Sequence, residues 1–129
     1  MSQNEQAFLA YCNEMIRLAA PLFAEEMEKT GLEDFELGHG IDFPGSPHPV
    51  GSAWLREPYS IYAKVHNPKS GGEETVQITI CATSGWKPIL SVSSSKLDPV
   101  TFQSSNSPQD DLAAIRKILL QCFARMVER

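Results

Sequence analysis

Three histidines are the side chains best suited to acid–base or metal chemistry, but their spacing does not group them. His39, His48 and His66 never pair at the i, i+4 spacing that places two metal ligands on one helix face. Ser84 lacks the glycine two positions earlier that a nucleophile elbow requires. The Gly-His-Gly run at 38–40 lacks the third glycine and the following helix of a dinucleotide-binding loop. The sequence therefore predicts no metal and no cofactor, identifies no catalytic residue, and leans against an enzyme.

The three cysteines are odd in number and far apart. Cys12, Cys81 and Cys122 form no CxxC or similar pattern, so neither a zinc site nor a disulfide framework is indicated. Cys12 and Cys122 fall on apolar helical stripes, where a thiol behaves as a small hydrophobic side chain. Cys81 is the one cysteine expected on an open surface. The pattern is typical of reduced thiols in a cytoplasmic protein.

Two amphipathic helices are predicted at the ends of the chain. The first covers about residues 4–29, and its apolar side chains recur at spacings of four and three. Pro21 predicts a kink there, or a helix that ends near Ala20 and restarts at Pro21. The second helix covers about residues 108–128, with Ser107 as its N-cap and a proline at its first position.

Period-2 alternation of apolar and polar residues predicts the strands between the helices. They cover about residues 34–43, 59–66, 75–83 and 88–94, with a short fifth strand over 100–103. Because the helices are apolar on one side and the strands alternate, the sequence predicts a single α+β domain over residues 1–129. Its sheet is an antiparallel meander of four or five strands, with both helices packed on one face.

His39 is the unusual residue of the first strand. The alternation places it on the apolar face, between Gly38 and Gly40. One interpretation is a core histidine that bonds a backbone carbonyl or a hydroxyl. The other is a polar group in a ligand pocket, where the two glycines admit a ligand or another backbone close to the sheet.

A loop rich in proline and glycine over residues 44–58 is a second candidate. It carries His48, Trp54 and Arg56, and exposed tryptophan and arginine are frequent anchors of protein interfaces. The alternative is that Trp54 packs into the edge of the core.

The polar face of the sheet is a third candidate. The alternation places Tyr62 and His66 on this face, which is expected to be open to solvent or covered by a partner. The same pattern adds four more residues, Gln77, Thr79, Ser91 and Ser93. A short or glycine-weakened edge strand could pair with a second copy of the chain or with an extended peptide.

Charge and hydropathy exclude several partners. The net charge of −5 and the pI near 5.1 argue against nucleic-acid binding. No apolar run reaches the length of a membrane helix, so no membrane partner is expected. Residues 1–36 hold eight acidic and two basic residues, a net charge of −6. Such a segment is either a solvated surface or one that attracts a basic partner.

These observations favour a non-catalytic protein-interaction module whose partner is another protein or a second copy of the chain. In size, acidity and order of elements the chain resembles type III secretion chaperones and the immunity proteins that neutralise toxins. The resemblance implies binding to another protein rather than catalysis. The alternative function is a small-molecule binding domain with a pocket between helices and sheet near His39.

Overall fold

A computed structural model describes residues 2–41, 58–68 and 71–127. Two helices enclose five strands in chain order. These elements are α1 (Gln3–Thr30), β1 (Glu36–Ile41), β2 (Tyr59–Asn67), β3 (Gly72–Thr83), β4 (Lys87–Ser94), β5 (Val100–Gln103) and α2 (Pro108–Met126). A short 3₁₀ turn over Ser84–Trp86 joins β3 to β4.

The strands form one antiparallel sheet in the order β1-β2-β3-β4-β5, so each strand pairs with its neighbour in the chain. Both helices pack on the same face: α1 contacts α2, β1 and β2, and α2 contacts β3 and β4. The predicted α+β meander with two terminal helices is therefore confirmed. This order leaves β1 and β5 at the two edges of the sheet.

The hydrophobic core lies between the helices and the sheet. The rings of Phe23 on α1 and Phe123 on α2 meet edge to face at a centroid distance of 5.2 Å. Beneath them, β2 and β3 contribute Ile61, Val76 and Ile78, each at most 3% exposed. These aliphatic side chains fill the space under the apolar side of α1, and this packing holds the helix against the sheet.

The break predicted near Ala20 is wrong, because α1 is one helix of 28 residues that contains Pro21. Pro21 lies on the exposed side, while Ala19, Leu22 and Phe23 are buried on either side of it. Packing before and after the proline outweighs the one backbone bond that it removes. The helix ends at Gly31, whose φ of 72° suits a glycine at a C-cap.

β1 is shorter than the run predicted over 34–43. It begins at Glu36, because Asp34 adopts a φ of 58° and interrupts the extended backbone. Residues 42 and 43 lie outside the described residues. The alternation predicted which residues share a face, but it did not predict this turn between α1 and the sheet.

The polar sheet face is not the open surface that the sequence predicts. Gln77 is 3% exposed, and Thr79 and Ser91 are fully buried within the single chain. The amide of Gln77 donates to the hydroxyl of Thr79 (3.0 Å) and to that of Ser60 (3.3 Å). Because Gln77, Thr79 and Ser60 bond one another, their polarity does not indicate exposure to water. The centre of this face is therefore not available to a partner.

Candidate interaction site at the edge of β1

The structure describes three of the six predicted site residues. His48, Trp54 and Arg56, predicted as interface residues of the loop, lie outside the described residues. His39 lies on β1, and Tyr62 and His66 lie on β2. Tyr62 is half-buried and faces β1, whereas His66 is exposed near the end of β2.

His39 is not a core histidine. It lies directly opposite Ile61, so it is on the helix-facing side of the sheet as the alternation predicts. Its side chain is nevertheless exposed, and Leu37 on the same side is 40% exposed. Both residues are exposed because β1 is an edge strand, whereas their partners on β2 lie beneath α1. Period-2 alternation reports the face of a strand and not its place in the sheet.

The side chain of Tyr62 packs against Gly38. The two residues are cross-strand partners, and a Cβ at Gly38 would overlap the phenol ring of Tyr62. The Tyr62 hydroxyl donates a hydrogen bond to the Glu36 carboxylate at 3.4 Å. The space over Gly38 is thus filled by this ring, so of the two glycines that flank His39 it is Gly40 that faces open space.

An apolar recess lies between α1 and β1, and it is the candidate site. We call it the β1 recess: it has a volume of about 90 Å³ and lies between Ala20 and Phe23 of α1 and the strand residues Leu37, His39 and Ile61. The side of β1 that faces away from β2 is termed the β1 edge. Among the described residues no strand pairs with the β1 edge. Backbone groups that pair with no described strand therefore lie beside an exposed leucine and an apolar hollow, the arrangement to which an added strand can bind.

A wider hollow lies where the chain passes from α1 to β1. This acidic hollow has a volume of about 510 Å³ and is bordered by Gly31, Glu33 and Asp34, with His66 and Pro68 on the opposite side. His66 and two carboxylates border the same hollow, an arrangement that the sequence did not predict. No group of three or more potential metal ligands forms among the described residues.

A buried carboxylate lies next to the segment that follows β5, at the opposite edge of the sheet. Asp111 is 5% exposed, and its Oδ2 accepts hydrogen bonds from the hydroxyls of Tyr11 and Ser104, each at 2.5 Å. Its Oδ1 accepts from the backbone N–H of Ser105 at 2.9 Å and from the hydroxyl of that serine at 2.7 Å. The Asp111 carboxylate thus ties α1, the segment after β5, and α2 together.

This cluster is suited to structure rather than to catalysis. Burial, followed by the hydrogen bond to Asp111, raises the pKa of Tyr11 well above its usual range, so the phenol stays protonated. Burial alone would raise the pKa of Asp111, but hydrogen bonds from Ser104, Tyr11 and Ser105 outweigh it and hold this pKa below the ordinary value of 3.8. The Asp111 carboxylate is therefore charged, and its two oxygens already accept four hydrogen bonds. This cluster consequently offers no available base or nucleophile.

The lowered pKa of Asp111 predicts a pH dependence of stability. Because the folded chain binds this proton less readily than the unfolded chain, the stabilisation is complete above 3.8 and is lost as the pH falls through the folded-state pKa. Urea unfolding between about pH 5 and pH 2 should show a steeper loss of stability in the wild type than in Asp111→Asn. The other carboxylates are common to both proteins, so equal slopes would contradict the lowered pKa.

The thiols do not add a reactive group. All three cysteines are buried, including Cys81, which the sequence placed on an open surface. Burial raises the pKa of the Cys122 thiol, the opposite of what a nucleophilic thiolate needs. Cys81 is buried because the sheet face on which it lies is buried.

Comparison of the chain with protein-family models, with curated proteins and with solved structures found no match. No helix among the described residues is long and apolar enough to cross a membrane. The site is therefore interpreted from its own residues.

The sequence did not predict the exposure of Leu37 or the burial of Asp111. The position of Leu37 on the first strand of a meander was a usable signal, since such a strand ends at the edge of the sheet.

Proposed function

We propose that this chain is a non-catalytic protein-interaction module that binds an extended segment of a partner protein along the β1 edge. One observation carries the proposal: exposed Leu37 and His39 flank an apolar recess beside backbone groups that pair with no described strand. A bound segment would add a sixth strand through main-chain hydrogen bonds, with one side chain in the β1 recess. This mode of binding suits a chaperone-like or immunity-like role.

The alternative function, a small-molecule pocket near His39, has less support. The β1 recess, at about 90 Å³, is well below the roughly 300–1,000 Å³ typical of ligand pockets. That volume is on the scale of one aliphatic side chain. Three cysteines, odd in number and far apart in the sequence, favour a reducing compartment, so a cytoplasmic location is part of the proposal.

The experiment compares matched variants at the two sheet edges. Leu37 on β1 is 40% exposed and Val100 on β5 is 38% exposed, so asparagine at either position should leave the fold intact. Linear peptides selected by the wild type from a phage-displayed random library should bind Leu37→Asn about tenfold more weakly, because burial of a leucine side chain is lost. Their affinity for Val100→Asn should be unchanged.

Circular dichroism and urea unfolding check that both variants are folded. The proposal is overturned if the library yields no peptide above the background of an unrelated protein. It is also overturned if the selected peptides bind Leu37→Asn as tightly as the wild type.

A further inference from the structure

Four carboxylates between the last turn of α1 and the start of β1 pair with no cation of the described part of the chain. Glu28, Glu33, Asp34 and Glu36 are exposed, and none of them forms an ion pair among the described residues. Two nearby lysines form their ion pairs with other carboxylates. Lys29 pairs with Glu25 at 3.3 Å and Glu26 at 3.2 Å, and Lys64, which lies opposite Glu36 in the sheet, pairs with Glu73 at 3.4 Å.

These four charges lie next to the β1 edge, whereas the other edge has one exposed acid close by in the chain, Asp98, two residues before β5. Glu36 is the first residue of β1, and Glu33 and Asp34 border the acidic hollow that precedes it. β5 carries no charged residue over its four positions. A segment that binds β1 therefore enters a negative potential, which favours basic side chains in that segment.

Strand geometry indicates where the basic side chains must lie. Leu37 lies on the helix-facing side of β1 beside the β1 recess, and Glu36 lies on the opposite side. Side chains of paired strands meet when they are opposite one another, about 4.5–5.5 Å apart at Cβ. A residue opposite Leu37 thus meets the apolar recess, and its neighbour in the added strand meets Glu36.

We infer that the segment bound by β1 is basic, with a lysine or arginine adjacent to an aliphatic residue. The inference rests on the proposed function and specifies the chemistry of its partner. The aliphatic side chain enters the β1 recess, while the cation pairs with Glu36 and is attracted by the carboxylates of the acidic hollow. A second copy of the chain is disfavoured as the occupant, because each copy would bring the same four carboxylates and a net charge of −5.

Six-residue peptides matched to the length of β1 test this inference directly. A host of alternating threonine and valine carries lysine, glutamine or glutamate at the threonine positions. Fluorescence anisotropy should show the lysine peptide binding about fivefold tighter than the glutamine peptide, as expected for partly exposed ion pairs. The glutamate peptide should bind most weakly, and the lysine advantage should shrink as salt is added.

Two triple variants separate local charge from net charge. One variant carries Glu33→Gln, Asp34→Asn and Glu36→Gln. The matched control removes three exposed acids elsewhere, through Glu25→Gln, Asp98→Asn and Asp110→Asn. Only the first should abolish the preference for lysine over glutamine. An equal loss in both would show that net charge alone acts, and it would overturn the inference.

The outcomes distinguish this inference from the proposed function. Library binders that depend on Leu37 but carry no basic residue would overturn the inference and leave the proposed function standing. A library that yields no binder would overturn both. Self-association in sedimentation that is lost in Leu37→Asn would make a second copy the occupant and would also overturn the inference.

Discussion

Replacement of Phe123 by alanine should lower the free energy of unfolding by about 4 kcal/mol, because it opens a large cavity in the packed core. Phe123 is 2% exposed, and its ring meets Phe23 edge to face at 5.2 Å across the α1–α2 contact. Phe23 also lines the β1 recess. The same substitution therefore removes support from the wall of the candidate site. Urea unfolding followed by circular dichroism gives the free-energy difference.

Phe123→Leu is the control for this prediction. Leucine keeps an apolar side chain at the helix contact, so it should lose less than half of the free energy that alanine loses. A loss below about 2 kcal/mol for alanine would mean that the two helices repack without the aromatic pair. In that case the pair of Phe23 and Phe123 would not be what holds α1 and α2 together.

Removal of the Asp111 carboxylate should be the second large effect. Asp111→Ala should cost about 3 kcal/mol, because four hydrogen bonds to a charged acceptor are lost at once. The hydroxyl of Tyr11, which is 7% exposed, would remain buried without its acceptor. The variant should therefore unfold at a clearly lower urea concentration than the wild type.

Asp110→Ala is the matched control, since it removes a neighbouring aspartate that is exposed. Asp110 lies in the first turn of α2, where its charge favours the helix by about 0.3–1 kcal/mol. A loss in Asp111→Ala no larger than that in Asp110→Ala would show that the buried hydrogen bonds do not stabilise the fold.

The sequence predicted the architecture well because its patterns are local. Helical periodicity marked both helices, and the N-cap at Ser107 accepts the expected hydrogen bond from the backbone N–H of Asp110 at 3.3 Å. Alternation marked every strand that the structure describes, including the short β5. Local patterns indicate whether a segment is a helix or a strand. In an α+β meander, neighbouring strands of the chain pair with one another, so the order of elements is almost enough to predict the fold.

The site was harder to predict because it depends on neighbours that are distant in sequence. His39 was assigned to the correct face, but its exposure follows from the place of β1 at the edge of the sheet. Asp111 lies in the first turn of α2, where an acidic residue is usually exposed. Its burial follows from Tyr11, one hundred positions away in the sequence. The continuity of α1 through Pro21 is likewise an effect of tertiary packing.

Hydrogen exchange on the complex with the lysine peptide tests the central claim most directly. Along an edge strand, alternate amides point away from the paired neighbour and exchange readily. Binding at the β1 edge should slow exchange at these amides within Glu36–Ile41 and leave β5 unchanged. Protection confined to β5 or to the helices, with β1 unchanged, would contradict the account.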